Sequence, residues 1–368
     1  MILTASKPVN VRIGSPSVNA PNPSFLIPGD KISVKSRVIG DKVNGNNKWV
    51  ISDKNEFFSE EGFHTTQEII SAPLYSHTDN GSILFKDLGL EELWVYSRGE
   101  KVTVILLDSG FSTCPDISST VLKKSIINDN GEDEIGHGSL MCSIIAGSGS
   151  EIVGVAPNCS LISIKFLRSK QANDIRWEDF IQALKKIEEV VNKTEIFIVN
   201  CSCAGLLQDN EKIEKIQFLV NYYTINYKIL FVCAVGNDSD YVNDIKITPA
   251  RLKNVISVAG LDKDGRRLIS SNYWKGIDLT CLGSFTSAFF QTKYPNYENS
   301  GSSHACAFAS GLLALFLSKA KANHSDLSFE KLKQIIVDAT DLTSETNNQN
   351  LLDFILNKQK LLQTFKSI

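Results

Sequence analysis

Residues 102–110 read Val-Thr-Val-Ile-Leu-Leu-Asp-Ser-Gly, an apolar run that stops at the carboxylate of Asp108 and the glycine at 110. A strand with one wet face alternates apolar and polar residues. A run that is apolar at consecutive positions fits a strand covered on both faces, as in a parallel sheet between two helical layers. Runs of the same kind recur at residues 196–199, 229–234 and 255–258. Between them, residues 177–191 and 213–223 carry apolar positions at helical spacing. This alternation predicts a doubly wound, mostly parallel α/β sheet over residues 83–368, with its chemistry at the carboxyl ends of the strands.

Residues 1–66 differ in character. They hold five of the ten prolines and none of the eight cysteines. Val9-Asn-Val-Arg-Ile13, Lys31-Ile-Ser-Val-Lys35 and Lys48-Trp-Val-Ile51 alternate or nearly so, with Gly, Pro or Asn between them. Asn44-Gly45-Asn46-Asn47 is a hairpin signal, because Asn and Gly tolerate positive φ. Short strands spaced by turns predict a small all-β barrel. The stretches Val9-Asn-Val-Arg-Ile-Gly-Ser-Pro-Ser17, Ile27-Pro-Gly-Asp-Lys31 and Asn44-Gly-Asn-Asn-Lys-Trp49 resemble the bacterial Src homology 3-like domains. That resemblance implies a barrel with a peptide or a cell-wall glycan as its ligand. A module that packs on its neighbour and binds nothing fits the same residues. Residues 67–82, ending in His77-Thr-Asp-Asn-Gly81, read as a linker.

The chain has 368 residues and a formal net charge of −3, with no block of like charges. Neither nucleic acid nor an anionic membrane is therefore expected as the main partner. The opening Met-Ile-Leu-Thr-Ala-Ser-Lys-Pro lacks the basic and apolar segments of a signal peptide. The apolar stretch within residues 305–317 is too short and too interrupted to span a bilayer. All eight cysteines follow residue 113, and Cys142, Cys233 and Cys306 sit inside apolar runs. Buried free thiols explain that placement, and together with the opening residues they point to the cytoplasm. Cys201-Ser-Cys203 has no second Cys/His pair at ligand spacing, and no run of carboxylates resembles a Ca²⁺ loop. No metal or cofactor is expected, although a Ca²⁺ site built on backbone oxygens is left open.

Four side chains stand where chemistry is plausible. Asp108 ends a buried strand, although a turn Asp would look the same. His137 lies between two glycines in Gly136-His-Gly-Ser-Leu-Met-Cys-Ser-Ile-Ile-Ala-Gly147, where a substrate or nucleophile can approach closely, although a mere capping residue at a helix start would look the same. Ser303 opens the apolar, small-residue helix of Gly301-Ser-Ser-His-Ala-Cys-Ala-Phe-Ala-Ser-Gly-Leu-Leu-Ala-Leu315. A nucleophile there meets free helix amides and the positive dipole end, and a plain N-cap serine would sit there too. Asn237 follows the run ending at Gly236, where its amide could donate to an oxyanion or simply form a turn.

The chain order Asp, His, Ser separates this set from two other serine hydrolase arrangements. Around it lie Leu107-Asp-Ser-Gly110, Gly136-His-Gly-Ser139, Val199-Asn-Cys-Ser202, Ala234-Val-Gly-Asn237, Pro249-Ala-Arg-Leu-Lys-Asn-Val-Ile-Ser-Val258 and Ser270-Ser-Asn-Tyr273. With the stretch at 301–311, these make residues 88–340 resemble the subtilisin-type serine peptidases. The resemblance implies an endopeptidase that cleaves a protein or peptide through an acyl-enzyme on Ser303. His137 would be general base and then acid, Asp108 would orient His137, and Asn237 would help form the oxyanion hole. Ser202, Cys203, Ala204 and Gly205 match the segment that pairs with an extended substrate. One departure stands out: His304 follows the nucleophile where the family carries Met. It is a solvated neighbour, a specificity element or a second base. The contrasting class is a non-catalytic peptide- or glycan-binding protein on the same fold.

Overall fold

The computed structural model describes residues 2–5, 9–21, 24–26, 31–43, 46–60, 63–64, 90–113, 117, 121–127, 129–148, 153–168, 175–238, 247–262, 267–274, 276–285, 299–323, 331–332, 334–335, 340–343, 353–356 and 358–368. The chain divides into two units, Met1–Ser76 and His77–Ile368. The expected linker at 67–82 lies outside the described residues.

The first unit is an antiparallel sheet. Its strands are β1 (Ile2–Ala5), β2 (Val9–Ile13), β3 (Ser24–Leu26), β4 (Lys31–Val43), β5 (Asn46–Ser52), β6 (Glu56–Ser59) and β7 (Phe63–His64). Their spatial order is β3-β2-β6-β5-β4-β1-β7. Alternation along β2 buries Val9 and Val11 and exposes Asn10. Those valines join Leu3, Ala5, Ile32, Val50 and Phe58 in a small core. Val43 pairs with Asn46, so Asn46 and Asn47 of the expected turn lie in β5, while Asn44 and Gly45 lie outside the described residues. β4 runs well past the expected 31–35, because two register shifts let it bend and keep pairing with β5. The ladder ends at β3 and β7, of three and two residues, and these edges are not paired with each other. The expected barrel is thus an open sheet among the described residues.

The second unit carries β8 (Val102–Asp108), β9 (Leu122–Ser125), β10 (Ser160–Lys165), β11 (Ile196–Cys201), β12 (Gly205–Leu206), β13 (Leu230–Ala234), β14 (Ile247–Thr248), β15 (Val255–Leu261), β16 (Leu279–Leu282), β17 (Ser284–Phe285), β18 (Asn299–Ser300), β19 (Thr340–Thr343) and β20 (Asp353–Leu356). Its described helices are α1 (Leu90–Trp94), α2 (His137–Ala146), α3 (Trp177–Lys186), α4 (Asn210–Tyr227), α5 (Ser302–Ala322) and α6 (Lys358–Ser367). The main sheet has the order β19-β20-β16-β15-β13-β11-β8-β10-β9. Seven strands from β16 to β9 run parallel. β20 adds to β16 through the pair Thr280↔Ile355, and β19 is antiparallel at the edge.

Both faces of this sheet are covered, which is why its strands read as continuous apolar runs. Val102, Val104 and Leu106 face one core, which holds Leu140 and Ile144 of α2, Phe308 and Leu312 of α5, and Phe365 of α6. Ile105 and Leu107 face the other, with Phe180 and Leu184 of α3 and Ile216 and Val220 of α4. After β8 the chain lays β9 and β10 on one side, then crosses to place β11 on the other. Such a reversal opens a crevice at the carboxyl ends of the strands, and Asp108 stands there.

Helix α5 has 21 residues, more than the apolar stretch suggested. By length and composition it could cross a bilayer, but 89% of its most apolar window is buried inside the fold. It packs against α2 and against β8, β11, β13, β15 and β16. Phe308, with 0% of its surface exposed, fills the centre of that contact. Phe308→Ala should lower the free energy of unfolding by about 3–5 kcal/mol, measured by urea denaturation followed by circular dichroism.

Candidate active site

Asp108 is the last residue of β8 and exposes 0% of its surface. The strand end is held by two backbone donors just past the end of β10. Phe166 N and Leu167 N both donate to Asp108 O, at 2.9 and 3.3 Å. The carboxylate oxygen Oδ1 accepts from Ser109 N at 2.7 Å and lies 2.8 Å from His137 Nδ1. A carboxylate can only accept here, so Nδ1 carries the ring proton and the Nε2 lone pair is left for another group.

His137 is the first residue of α2, and its side chain is 20% exposed. Two glycines make the approach to Asp108 geometrically feasible. Gly136 caps the helix with φ 92°, in the left-handed region that favours glycine. Gly138 runs against Gly110, where a Cβ would stand 2.2 Å from the Gly110 carbonyl oxygen. Burial favours the neutral ring. The charge and hydrogen bond of Asp108, with the charge of Asp133, outweigh it and hold the imidazole above its ordinary value of 6.5.

Ser303 is the second residue of α5 and is buried. Its Oγ donates to Ser202 O at 2.8 Å, and Ser202 Oγ donates back to Ser303 O at 2.9 Å. Among the described residues no hydrogen bond joins Ser303 Oγ to His137. His304, the next residue, is near enough to His137 for the two rings to interact electrostatically, which puts the start of α5 beside the catalytic candidates.

Asn237 is exposed, just beyond β13. Its Oδ1 accepts from Ser302 N at 2.8 Å, so the amide turns its donor side to the remaining space. The Ser302 hydroxyl also clamps Gly236, accepting from its N–H and donating to its carbonyl, both at 3.1 Å. Of the segment expected to pair with substrate, Ser202 and Cys203 are buried, while Ala204 and Gly205 are half-buried. Gly205 is already paired on one edge with Thr248 of β14.

Three groups at the site were not singled out from sequence. Asn200, fully buried, donates to Ser202 Oγ at 2.8 Å and accepts from Ser310 Oγ at 3.0 Å and Cys306 Sγ at 3.3 Å. It ties β11 to α5. Ser109 and Asp133 form a second hydrogen-bonded group around His137. The available signal was an acidic residue just before a helix start, which usually marks nothing more than a cap.

His304 is 2% exposed, and neither ring nitrogen has a hydrogen-bond partner among the described residues. Burial first, and then repulsion from His137, pushes its pKa down to about 3. It is therefore no solvated neighbour. Burial and the charge of His137 both favour the neutral ring and so weaken it as a proton acceptor. The seven described cysteines are buried and free, and Cys159 is pushed up to about 12 by burial, so that thiol stays protonated at neutral pH. Among the described residues, no three His, Cys, Asp or Glu side chains are grouped to hold a metal ion. Replacing the unpartnered imidazole in His304→Met should raise stability by about 1–3 kcal/mol. A urea midpoint below that of the unaltered chain would contradict this.

Residues 99–357, from just before β8 to just after β20, match the sequence profile of the Subtilase family. An intracellular serine protease of Paenibacillus polymyxa is 30% identical over 245 residues, covering 63% of this chain and 71% of that protein. The major intracellular serine protease of Bacillus subtilis is 30% identical over 241 residues, covering 62% and 72%. Among solved structures, the prenylagaramide maturation protease PagA superposes with a TM-score of 0.61 at 23% identity, covering 75% of this chain and 98% of that one. A cold adapted subtilisin-like serine proteinase superposes at 0.59 and 19% identity, covering 71% and 90%. The sheet, its strand order and these matches agree: the chain has the subtilisin-like α/β fold and belongs to the subtilase family.

Proposed function

We propose that the chain is a serine endopeptidase that cleaves peptide bonds through an acyl-enzyme on Ser303. The observation that carries this most directly is the 2.8 Å contact of His137 Nδ1 with the fully buried Asp108 carboxylate. It presents Nε2 as the base. In the first step the Ser303 hydroxyl leaves Ser202 O and turns to Nε2, which takes its proton as Oγ bonds to the substrate carbonyl carbon. The negative carbonyl oxygen is met by the Asn237 amide and the Ser303 N–H. The carbon–nitrogen bond then breaks, and the departing amine takes the proton from Nε2. Water then gives a proton to Nε2 as its oxygen bonds to the acyl carbon, the ester bond to Oγ breaks, and Nε2 returns the proton to Oγ as the acid leaves. Asp108 keeps its negative charge throughout and steadies the imidazolium.

Ala204 and Gly205 are suited to pair with the substrate backbone, because they remain partly open beside the strand ends. We read the first unit as a Src homology 3-like module with a peptide or glycan ligand. The support is its antiparallel strands and the motifs quoted above, and retention of the full chain on peptidoglycan would test it. A cytoplasmic location is supported by the buried free thiols and by relatives named as intracellular.

The Ser303–Ser202 hydrogen bond favours one contrasting reading, a binding protein with an idle cleft. A fluorophosphonate probe decides between them. Labelling of the unaltered chain that disappears in Ser303→Ala is expected, and no labelling of the unaltered chain would favour binding. Asn237→Ala should lower kcat about 10²–10³-fold, measured on a chromogenic peptide. Activity should rise with pH as His137 loses its proton. Because Asp108 and Asp133 hold that proton more tightly, the midpoint of kcat/KM should lie above 6.5. A midpoint below that value would count against His137 as the base.

A further inference from the structure

Asp133 touches no reacting group in the mechanism above, yet the residue is only 5% exposed and its carboxylate is densely bonded. Oδ1 accepts from Gly136 N at 2.7 Å, Ser109 Oγ at 2.8 Å and Ile135 N at 3.1 Å. Oδ2 accepts from Ser139 N and Ser139 Oγ, each at 2.8 Å. These donors lie on both sides of His137. The intervening amide, Gly138 N, donates to Ser109 Oγ at 2.9 Å, and that hydroxyl in turn donates a hydrogen bond to Asp133. Ser109 N in turn donates to Asp108 Oδ1. One carboxylate therefore reaches the backbone before and after the ring, and through Ser109 it reaches the ring's partner.

We propose that Asp133 is a positioning residue that sets His137 against Asp108. This inference rests on the serine peptidase reading given above. A helix N-terminus leaves its first N–H groups without intrahelical partners, and a carboxylate there satisfies them and matches the positive end of the dipole. The bonded carboxylate thus fixes the first turn of α2, whose first residue is His137. Its loop is itself anchored. Asp133 N donates to Ser112 Oγ at 3.0 Å, and Lys165 Nζ donates to Glu132 O at 2.8 Å and pairs with Asp129 at 2.6 Å. Lys123 pairs with Glu132. The charged or titratable groups that act on His137 are Asp108 from β8, Asp133 from this loop and His304 from α5. His304 is neutral at working pH, so the two carboxylates supply the field that favours the imidazolium.

The test uses the full chain, Asp133→Asn and Ser109→Ala, with competent molecules counted by fluorophosphonate titration to completion. Asp133→Asn should lower kcat per titrated site by about 10-fold or more at similar KM, as expected when a catalytic group is held less accurately. It should also move the midpoint of kcat/KM to lower pH by about half a unit or more, since a charge stabilising the imidazolium is gone. A merely structural carboxylate would lower the denaturation midpoint while leaving kcat per site and the pH midpoint where they were. That result overturns the inference. Where Asp133→Asn does not fold, Ser109→Ala decides. It keeps the charge but cuts the link to Gly138, so kcat should fall with the pH midpoint unmoved, and an unchanged kcat overturns the inference. Failure of the unaltered chain to take up the probe would remove the peptidase reading itself, and with it this inference. Labelling of the unaltered chain keeps the two failures apart.

Discussion

A carboxylate with no exposed surface survives only where its charge is answered close by. Asp108 is such a group, and its Oδ2 is buried without a hydrogen-bond partner among the described residues. Among the described residues its hydrogen bonds run through Oδ1 alone, to the Ser109 amide and the His137 ring. The ring is therefore needed by the fold at the point where chemistry would need it, and its tautomer follows from the same contact. Much of the surrounding structure maintains that one contact. Gly136 and Gly138 allow the helix start to come close, Ser109 bridges the strand end to the helix, and Asp133 collects the amides on either side.

The nucleophile candidate depends on a different kind of constraint. Helix α5 is buried from Ser302 to Ala320, and its first turns carry Ser302, Ser303, Ala305, Ala307 and Ala309. Small side chains let its backbone approach the strand ends, where hydroxyls replace bulk with hydrogen bonds. Ser302 clamps the end of β13, Ser303 and Ser202 bond reciprocally, and Asn200 joins β11 to Ser310 and Cys306. The site is thus carried by the ends of regular elements rather than by loop tips, which favours a fixed geometry.

Against this rigid frame, two features concern motion and cost. The Ser303 hydroxyl donates to Ser202 O, so reaching His137 exchanges one hydrogen bond for another, and such exchanges change the free energy by only about 1 kcal/mol. His304 is a local expense of the opposite kind, an imidazole sealed next to the nucleophile with no partner for either nitrogen among the described residues.

The continuous apolar runs at 102–107, 196–199, 229–234 and 255–258 were sufficient to infer a parallel sheet, because covering both faces removes every position where a polar residue is tolerated. Order along the chain and small-residue punctuation likewise made Asp108, His137, Asn237 and Ser303 stand out. The edges of the first sheet were not legible, since closure depends on pairing between strands distant in sequence. Nor was the orientation of Ser303, the burial of His304, or the five-donor role of Asp133. Residue types and local periodicity therefore determined which groups were present and which layers they belonged to. Hydrogen-bond partners were decided only in three dimensions, because a serine, an aspartate or a histidine offers the same donors and acceptors in a cap, a turn or a catalytic site, and only packing selects among them.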